Sequence, residues 1–274
     1  MIGPTRDDWL ARHAYLQPVA AVHALVDAAA DRVSIPLARV PSWPDYLDEF
    51  LGGVPLLQSS GAAIDLSPAE ASLAALVENL SVTPLPGTLM EEHRALHAEL
   101  RGDPDAPRRA VAWLLDGASY APASPGLLQY LGWTVLARYL SEVVAAFSGW
   151  RDEEKWFRSY CPTCGGPPAM AQLVGTDPGR LRRLSCGRCL TRWRYRRTGC
   201  PFCDTADDHR LAAFAIEGEA ALRIDYCEAC RGYLKTYVGE GGESLLLADW
   251  TSLHLDVIAR QRALNRFAAS LYQV

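Results

Sequence analysis

Two hydrophobic rhythms divide the chain. Up to about residue 150, apolar positions recur every three or four residues, the spacing of amphipathic helices; beyond it, short alternating runs are broken by Gly, Pro and Cys. The clearest helix opens at Ser67-Pro68-Ala69-Glu70, a capping box with proline in the first turn, after which Leu73, Leu76, Val77 and Leu80 share one face. Thr88 and Glu91 open another, to about Arg101. The stretch 103–117 holds a third, around Val111, Trp113, Leu114 and Leu115. Ser124-Pro125 precedes a long helix to about Phe147, in which Leu128, Leu131, Val135, Leu136, Tyr139, Leu140 and Val143 form a broad apolar face. Residues 6–33 also read as helical, with Pro18 as a bend or break, and the proline-rich connection 35–44 leads to a short helix ending near Gly52-Gly53.

After a hinge at 150–160 the pattern turns to strands. Trp193 and Tyr195 alternate with Arg192, Arg194 and Arg196, which predicts a strand with its aromatics inward and its arginines towards solvent. Residues 233–238 and 244–247 read as strands, and 249–271 as a closing helix carrying Leu253, Leu255, Val257, Ile258, Leu264 and Phe267.

The cysteines change this picture most. All eight lie in C-x-x-C pairs: Cys161/Cys164, Cys186/Cys189, Cys200/Cys203 and Cys227/Cys230. Such a loop aims two sulfurs at one ion, and two loops complete a tetrahedral four-cysteine shell. Gaps of 21 residues between Cys164 and Cys186 and of 23 between Cys203 and Cys227 leave room for a short sheet excursion, whereas only 10 residues separate Cys189 from Cys200. The economical grouping is two tandem zinc-ribbon or rubredoxin-like modules, Cys161, Cys164, Cys186 and Cys189 in the first, Cys200, Cys203, Cys227 and Cys230 in the second. An interleaved grouping stays open. Each site would hold one ion, Zn or Fe, because a tetrathiolate shell accepts either. The expected architecture is multidomain: an all-α domain over 1–155, metal modules over 156–198 and 199–248, and a C-terminal helix over 249–274.

A disulfide framework and a thioredoxin-like redox pair are the rival uses of such cysteines. Met1 to Trp9 include Asp7 and Asp8 and lead into no apolar signal core, so the chain reads as cytoplasmic, where thiols stay reduced. Four pairs flanked by Gly and Pro do not match the single strand-to-helix pair of a thioredoxin site. No apolar run is long enough for a membrane anchor.

Length and charge add bounds. At 274 residues, 49% of them hydrophobic, the chain can bury a sizeable core. Net charge is −5, yet the stretch 180–197 holds eight arginines and no acid, which leaves −13 on the remainder. That strip is a candidate partner surface, for an acidic protein segment or for single-stranded nucleic acid, and the strong negative charge elsewhere disfavours nucleic acid. His93 and His97 have helical metal-pair spacing but no intervening metalloprotease glutamate, so they read as a solvated helix face; His209 and His254 stand isolated. There is no phosphate loop, nucleophile elbow or triad. With every thiolate committed and no ligand position open, both sites read as structural and the chain as no enzyme.

Several runs resemble the FdhE family of formate dehydrogenase accessory proteins: Cys161-Pro-Thr-Cys-Gly-Gly, Arg183-Leu-Ser-Cys-Gly-Arg-Cys-Leu-Thr-Arg-Trp, Cys200-Pro-Phe-Cys, above all Tyr226-Cys-Glu-Ala-Cys-Arg-Gly-Tyr-Leu-Lys, and Leu247-Ala-Asp-Trp-Thr-Ser-Leu-His-Leu-Asp. The resemblance covers about residues 158–262. It implies a helical domain followed by two rubredoxin-like modules, and a cytoplasmic, chaperone-like role in forming active formate dehydrogenase through contact with its catalytic subunit. A zinc-ribbon nucleic-acid binder and a redox protein with iron-tetrathiolate centres are the alternatives.

Overall fold

The computed structural model describes residues 4–117, 119–176, 178–268 and 270. Its helical half comprises α1 (Arg6–Arg12), α2 (Gln17–Asp31), α3 (Trp43–Gly52), α4 (Ser67–Leu80), α5 (Gly87–Gly102), α6 (Ala106–Asp116), α7 (Pro125–Tyr139) and α8 (Ser141–Trp150). The central α4 packs on α2, α5, α6 and α7 and buries Leu73, Leu76, Val77 and Leu80, the face its periodicity predicted. Helices α6 and α7 come so close that a Cβ on Gly132 would meet Leu114 Cδ1 at 2.2 Å, so a larger residue there would require the Leu114 side chain to move.

Several expectations about helix ends need correcting. The Ser67 capping box is not formed: Ser67 already lies inside α4, and the Asp65 carboxylate accepts its N–H and its hydroxyl at 3.0 and 2.8 Å. Thr88 caps nothing either, since α5 starts at Gly87. The N-terminal helix breaks at His13, not at Pro18, which sits in the first turn of α2, where its missing N–H costs nothing. The long helix expected from Ser124 is two. The Tyr139 carbonyl is taken by Ala38 N–H at 2.8 Å and the Arg138 carbonyl by the Ser141 hydroxyl at 2.9 Å, so the ladder breaks at Leu140.

Strands β1 (Met170–Val174), β2 (Leu181–Ser185), β3 (Arg192–Tyr195), β4 (Leu211–Ile216), β5 (Glu219–Cys227) and β6 (Tyr233–Val238) form one six-stranded sheet in the order β3-β2-β1-β6-β5-β4. Each half, β1-β2-β3 and β4-β5-β6, is antiparallel, and the halves join through the parallel pair β1/β6. The two cysteine-bearing modules therefore share a sheet.

Pleat alternation gives this sheet two buried faces. Leu234 of β6 belongs to a cluster with Ala171, Leu184, Trp193 and Tyr195 that continues into the helical half through Trp156, Phe50 and Phe147. The segment 150–160 is consequently no hinge. Trp156 stacks on Phe50 at 5.4 Å, Tyr160 donates to the Gly53 carbonyl at 2.8 Å, and Trp193 Nε1 donates to the Arg158 carbonyl at 3.0 Å.

The other face, with Tyr233, Lys235 and Tyr237 of β6, is covered by both chain ends: Trp9, Leu16 and Ala20 from the start, Leu245, Leu246, Trp250, Leu253, Leu255 and Ala259 from the end. Residues 244–247, expected as a strand, belong mostly to the single helical turn α9 (Glu243–Leu246), closed by Leu246 N–H on the Gly242 carbonyl at 2.7 Å and Leu247 N–H on the Glu243 carbonyl at 3.1 Å. The closing helix is also shorter than expected: α10 runs Leu253–Gln261, and Ala263 at φ 55° turns the chain back so that Asn265 pairs with Gly232. Positions 269 and 271–274 of the expected helix lie outside the described residues.

Lys235, 1% exposed, pins this end. Its ammonium donates to Asp249 Oδ1 at 2.6 Å and Asp256 Oδ2 at 2.8 Å, Arg266 reaches both carboxylates at 2.8 Å, and the Tyr233 hydroxyl donates to Asp256 at 2.6 Å. Two cations balance two anions, so the cluster is tolerated in the core; removing one partner leaves uncompensated charge. Lys235→Met should lower unfolding stability by about 3–5 kcal/mol in denaturant titration. Burial opposes ionisation of Asp249, but Lys235 and Arg266 prevail and hold its carboxyl far below the usual carboxylate range. A depressed carboxyl contributes stability that is present above its unfolded value, about 4, and lost as pH falls below it. Wild-type stability should accordingly fall more steeply below about pH 4 than that of Asp249→Asn, whereas parallel curves would contradict the pairing.

Candidate metal centres

The eight sulfurs gather into two groups, each with all ligand atoms within 4.8 Å of one another: Cys161, Cys164, Cys186 and Cys189, and Cys200, Cys203, Cys227 and Cys230. This is the tandem grouping; the interleaved one is not what the chain adopts. In each half of the sheet one C-x-x-C loop precedes the first strand and the other caps the turn between the second and third, so both loops reach the same end of a three-stranded unit.

All four loops have one backbone form. The residue after the second cysteine is left-handed in each, with φ 75° at Gly165, 62° at Leu190, 60° at Asp204 and 62° at Arg231. The first cysteine's N–H bonds the carbonyl five residues on, at 2.8 Å for Cys161, 2.9 Å for Cys186, 3.0 Å for Cys200 and 2.9 Å for Cys227. Outside glycine this twist costs about 1–2 kcal/mol per residue. It turns the loop so that N–H groups face sulfur: Arg188 and Phe202 donate to Cys186 and Cys200, the first cysteines of their loops, and Gly232 donates to Cys230, the second of its loop, each at 3.4 Å.

Spacing between loops suits a tetrahedral ion. Bonds of about 2.3 Å to a central ion place sulfurs about 3.8 Å apart. Across the first group, Cys161 and Cys189 are 3.5 Å apart, as are Cys164 and Cys186; across the second, Cys200 to Cys230 is 3.6 Å and Cys203 to Cys227 is 3.8 Å. Left to themselves such thiols do not ionise together. Burial pushes Cys161 well above its ordinary value, whereas Cys189, against its own burial, is drawn well below by hydrogen bonding with Cys161, Cys164, Cys186 and Thr191. A dication is what would let all four become thiolates, and soft sulfur donors fit Zn or Fe.

The centres differ in setting. All four cysteines of the first are buried beneath the helical half, where Leu56 and Leu57 N–H donate to the Pro162 and Thr163 carbonyls at 2.9 and 2.8 Å. Thr163 and Thr191 hydroxyls, 2.7 Å apart, tie its loops together. In the second, Cys203 is exposed and Cys230 half-buried, and Phe202 packs on Phe267 at 5.0 Å.

The arginine strip is mostly tied up at home. Trp193 and Tyr195 point inward and are buried, as the alternation predicted, while Arg194 pairs with Glu154, Arg196 with Asp204, and Arg183 with Glu153 at 2.8 Å. Arg182 is buried and donates to the Gly199 carbonyl at 2.9 Å. Replacing Arg194 and Arg196 by Glu would set carboxylates against Glu154 and Asp204, the latter next to Cys203, so that change disturbs the second loop as well as the surface.

Among the histidines, His93 is not solvated: it is 2% exposed and bonds the Val77 carbonyl at 2.8 Å, while His97 pairs with Glu78 at 2.7 Å. His209 is exposed. His254 is not isolated; it joins His13 and Glu219, a grouping of residues far apart in sequence that no local motif signals. Lys235, Asp249 and Asp256 were in view only as parts of the family-like runs, whose spacing does not reveal their ion pairs.

No family model matches the chain. It is similar to the FdhE homolog of Aquifex aeolicus, 32% identical over 114 residues, covering 40% of each chain. It is 28% identical over 231 residues to the FdhE homolog of Pseudomonas aeruginosa, covering 81% of this chain and 63% of that one. With the Pseudomonas putida homolog it shares 30% identity over 181 residues, 63% of this chain and 56% of the other. These matches thus span from 40% to 63% of the relatives' own lengths. The fold matches the crystal structure of the FdhE protein from Pseudomonas aeruginosa at a TM-score of 0.63 and 25% identity, over 94% of this chain and 88% of that one.

If the two groups are independent metal shells, Cys164→Ser and Cys203→Ser should each lower the Zn plus Fe content by one ion per chain in elemental analysis. Metal release to a chelator should be biphasic, faster from the second centre because Cys203 is exposed. Loss of both ions from either variant, or a single release phase that Cys203→Ser leaves unchanged, would contradict the scheme.

Proposed function

This chain is a relative of the FdhE proteins in sequence and in fold, and from that premise we propose that it is a non-enzymatic, chaperone-like accessory factor in the formation of active formate dehydrogenase. It acts in the cytoplasm by binding the catalytic subunit of that enzyme, and its two tetrathiolate centres are rubredoxin-like in shape. The observation that carries the reading is the closure of both sulfur groups. Each gathers four cysteines around one point, which leaves a bound ion no open position for water or substrate. Such centres fix the shape of a binding head rather than perform hydrolysis. No helix among the described residues is long and apolar enough to cross a membrane.

A nucleic-acid role is disfavoured by the same geometry that places the arginines. Arg183, Arg194 and Arg196 are neutralised by Glu153, Glu154 and Asp204, so fewer positive charges reach a polyanion than the strip's composition suggests.

Deleting the gene should abolish formate oxidation while the catalytic subunit is still synthesised, and the purified protein should capture that subunit in a pull-down. Random single-stranded DNA should bind weakly at physiological salt. Normal formate oxidation in a deletion strain with no second copy would refute the role; tight, steeply salt-dependent DNA binding would favour the nucleic-acid alternative.

A further inference from the structure

Away from the cysteines, three segments bring nitrogen and oxygen ligands to one point. His13 lies in the break after α1, Glu219 starts β5 just beyond the Gly218 turn, and His254 sits in the first turn of α10. One ligand atom from each lies within 4.8 Å of the others. His13 Nε2 contacts Glu219 Oε1, and His254 Nε2 lies 2.9 Å from the same oxygen. The imidazole centroids are 5.3 Å apart.

The other nitrogen of His13 decides what this contact can be. His13 Nδ1 is 2.9 Å from the Trp9 carbonyl, which can only accept, so Nδ1 carries the proton. A neutral His13 then turns the lone pair of Nε2 towards a carboxylate, which is repulsive unless a cation lies on that side. Protonating the ring is one remedy, but the same oxygen faces His254 as well, and two imidazoliums this close repel each other. His254 Nδ1 has no hydrogen-bond partner among the described residues, so nothing in the protein fixes that ring by its far side. A ligating histidine has the form His13 shows: one N–H given to a backbone carbonyl, the other nitrogen aimed at the metal.

We propose that His13, Glu219 and His254 form a third, sulfur-free site for a divalent transition ion such as Zn2+. Two imidazoles, which are borderline donors, and a carboxylate make a ligand set that suits zinc, and three protein ligands leave a fourth position for water or a partner's side chain. Tyr15, 55% exposed, borders the cluster, its ring meeting both imidazoles edge-on at 5.9 and 5.7 Å. His13 and Glu219 are nearly buried, so the ion would join the start of the chain to the β4-β5 turn and to α10.

The test is calorimetric titration with Zn2+ of the full chain, its thiolate-bound metal counted first by elemental analysis. Wild-type protein should take up one more Zn2+ per chain than His254→Ala or Glu219→Gln, with the thiolate-bound content equal in all three. Zn2+ should raise the melting temperature of the wild type alone. His13→Ala is a third probe; should it fail to fold, the other two still decide. Equal Zn2+ uptake by wild type and both variants, or a wild type that takes none beyond its thiolate-bound ions, would overturn the proposal and leave the cluster as a protonated ion pair.

Discussion

Four sulfurs brought within 4.8 Å of one another, at each of two places, are the constraint on which the sheet half depends. Ionised together they repel, and held as thiols they lack good partners, so the arrangement makes sense only around a cation. The backbone shows what this demands: three residues that are not glycine, Leu190, Asp204 and Arg231, are held left-handed to turn their loops inward. At about 1–2 kcal/mol each, that strain is small beside the ten or so kcal/mol that a structural zinc ion contributes to folding in small modules. Pinning each three-stranded unit at one end then leaves its strands free to pair along their edges, which lets β1 and β6 join the two units.

Sharing a sheet makes the centres inequivalent. One face of β6 contributes Leu234 to the core that runs through Trp156 into the helices, and this buries the first centre. The opposite face is occupied by both ends of the chain, locked by Lys235 between Asp249 and Asp256. The second centre lies beside that seam with Cys203 at the surface. The first centre therefore sits in the union with the helical half, and the second lies at the surface.

What the sequence made legible follows from how local each determinant is. The face of α4, the inward Trp193 and Tyr195 and the grouping of the cysteines all rest on spacing within a short window, and each is found where it was read. Helix ends were read less well because their signals compete: Asp65 took the role expected of Ser67, and a tertiary bond from Ala38 with a local one from the Ser141 hydroxyl splits a helix that periodicity alone runs straight through. The run Ser244 to Leu247 is too short to distinguish a strand from a helical turn by its pattern. His13 and Glu219 are 206 positions apart, and no one-dimensional pattern joins them.

The central claim is that the two thiolate-held ions organise one continuous sheet and its seat on the helices. Hydrogen exchange, measured strand by strand before and after both ions are stripped under reducing conditions, tests it most directly. Amides of β1 and β6, the strands that form the joint between the units, should lose most of their protection on stripping and regain it when Zn2+ is restored, while α4 and α7 keep theirs. Unchanged protection in β1 and β6 after complete removal of metal would contradict the claim.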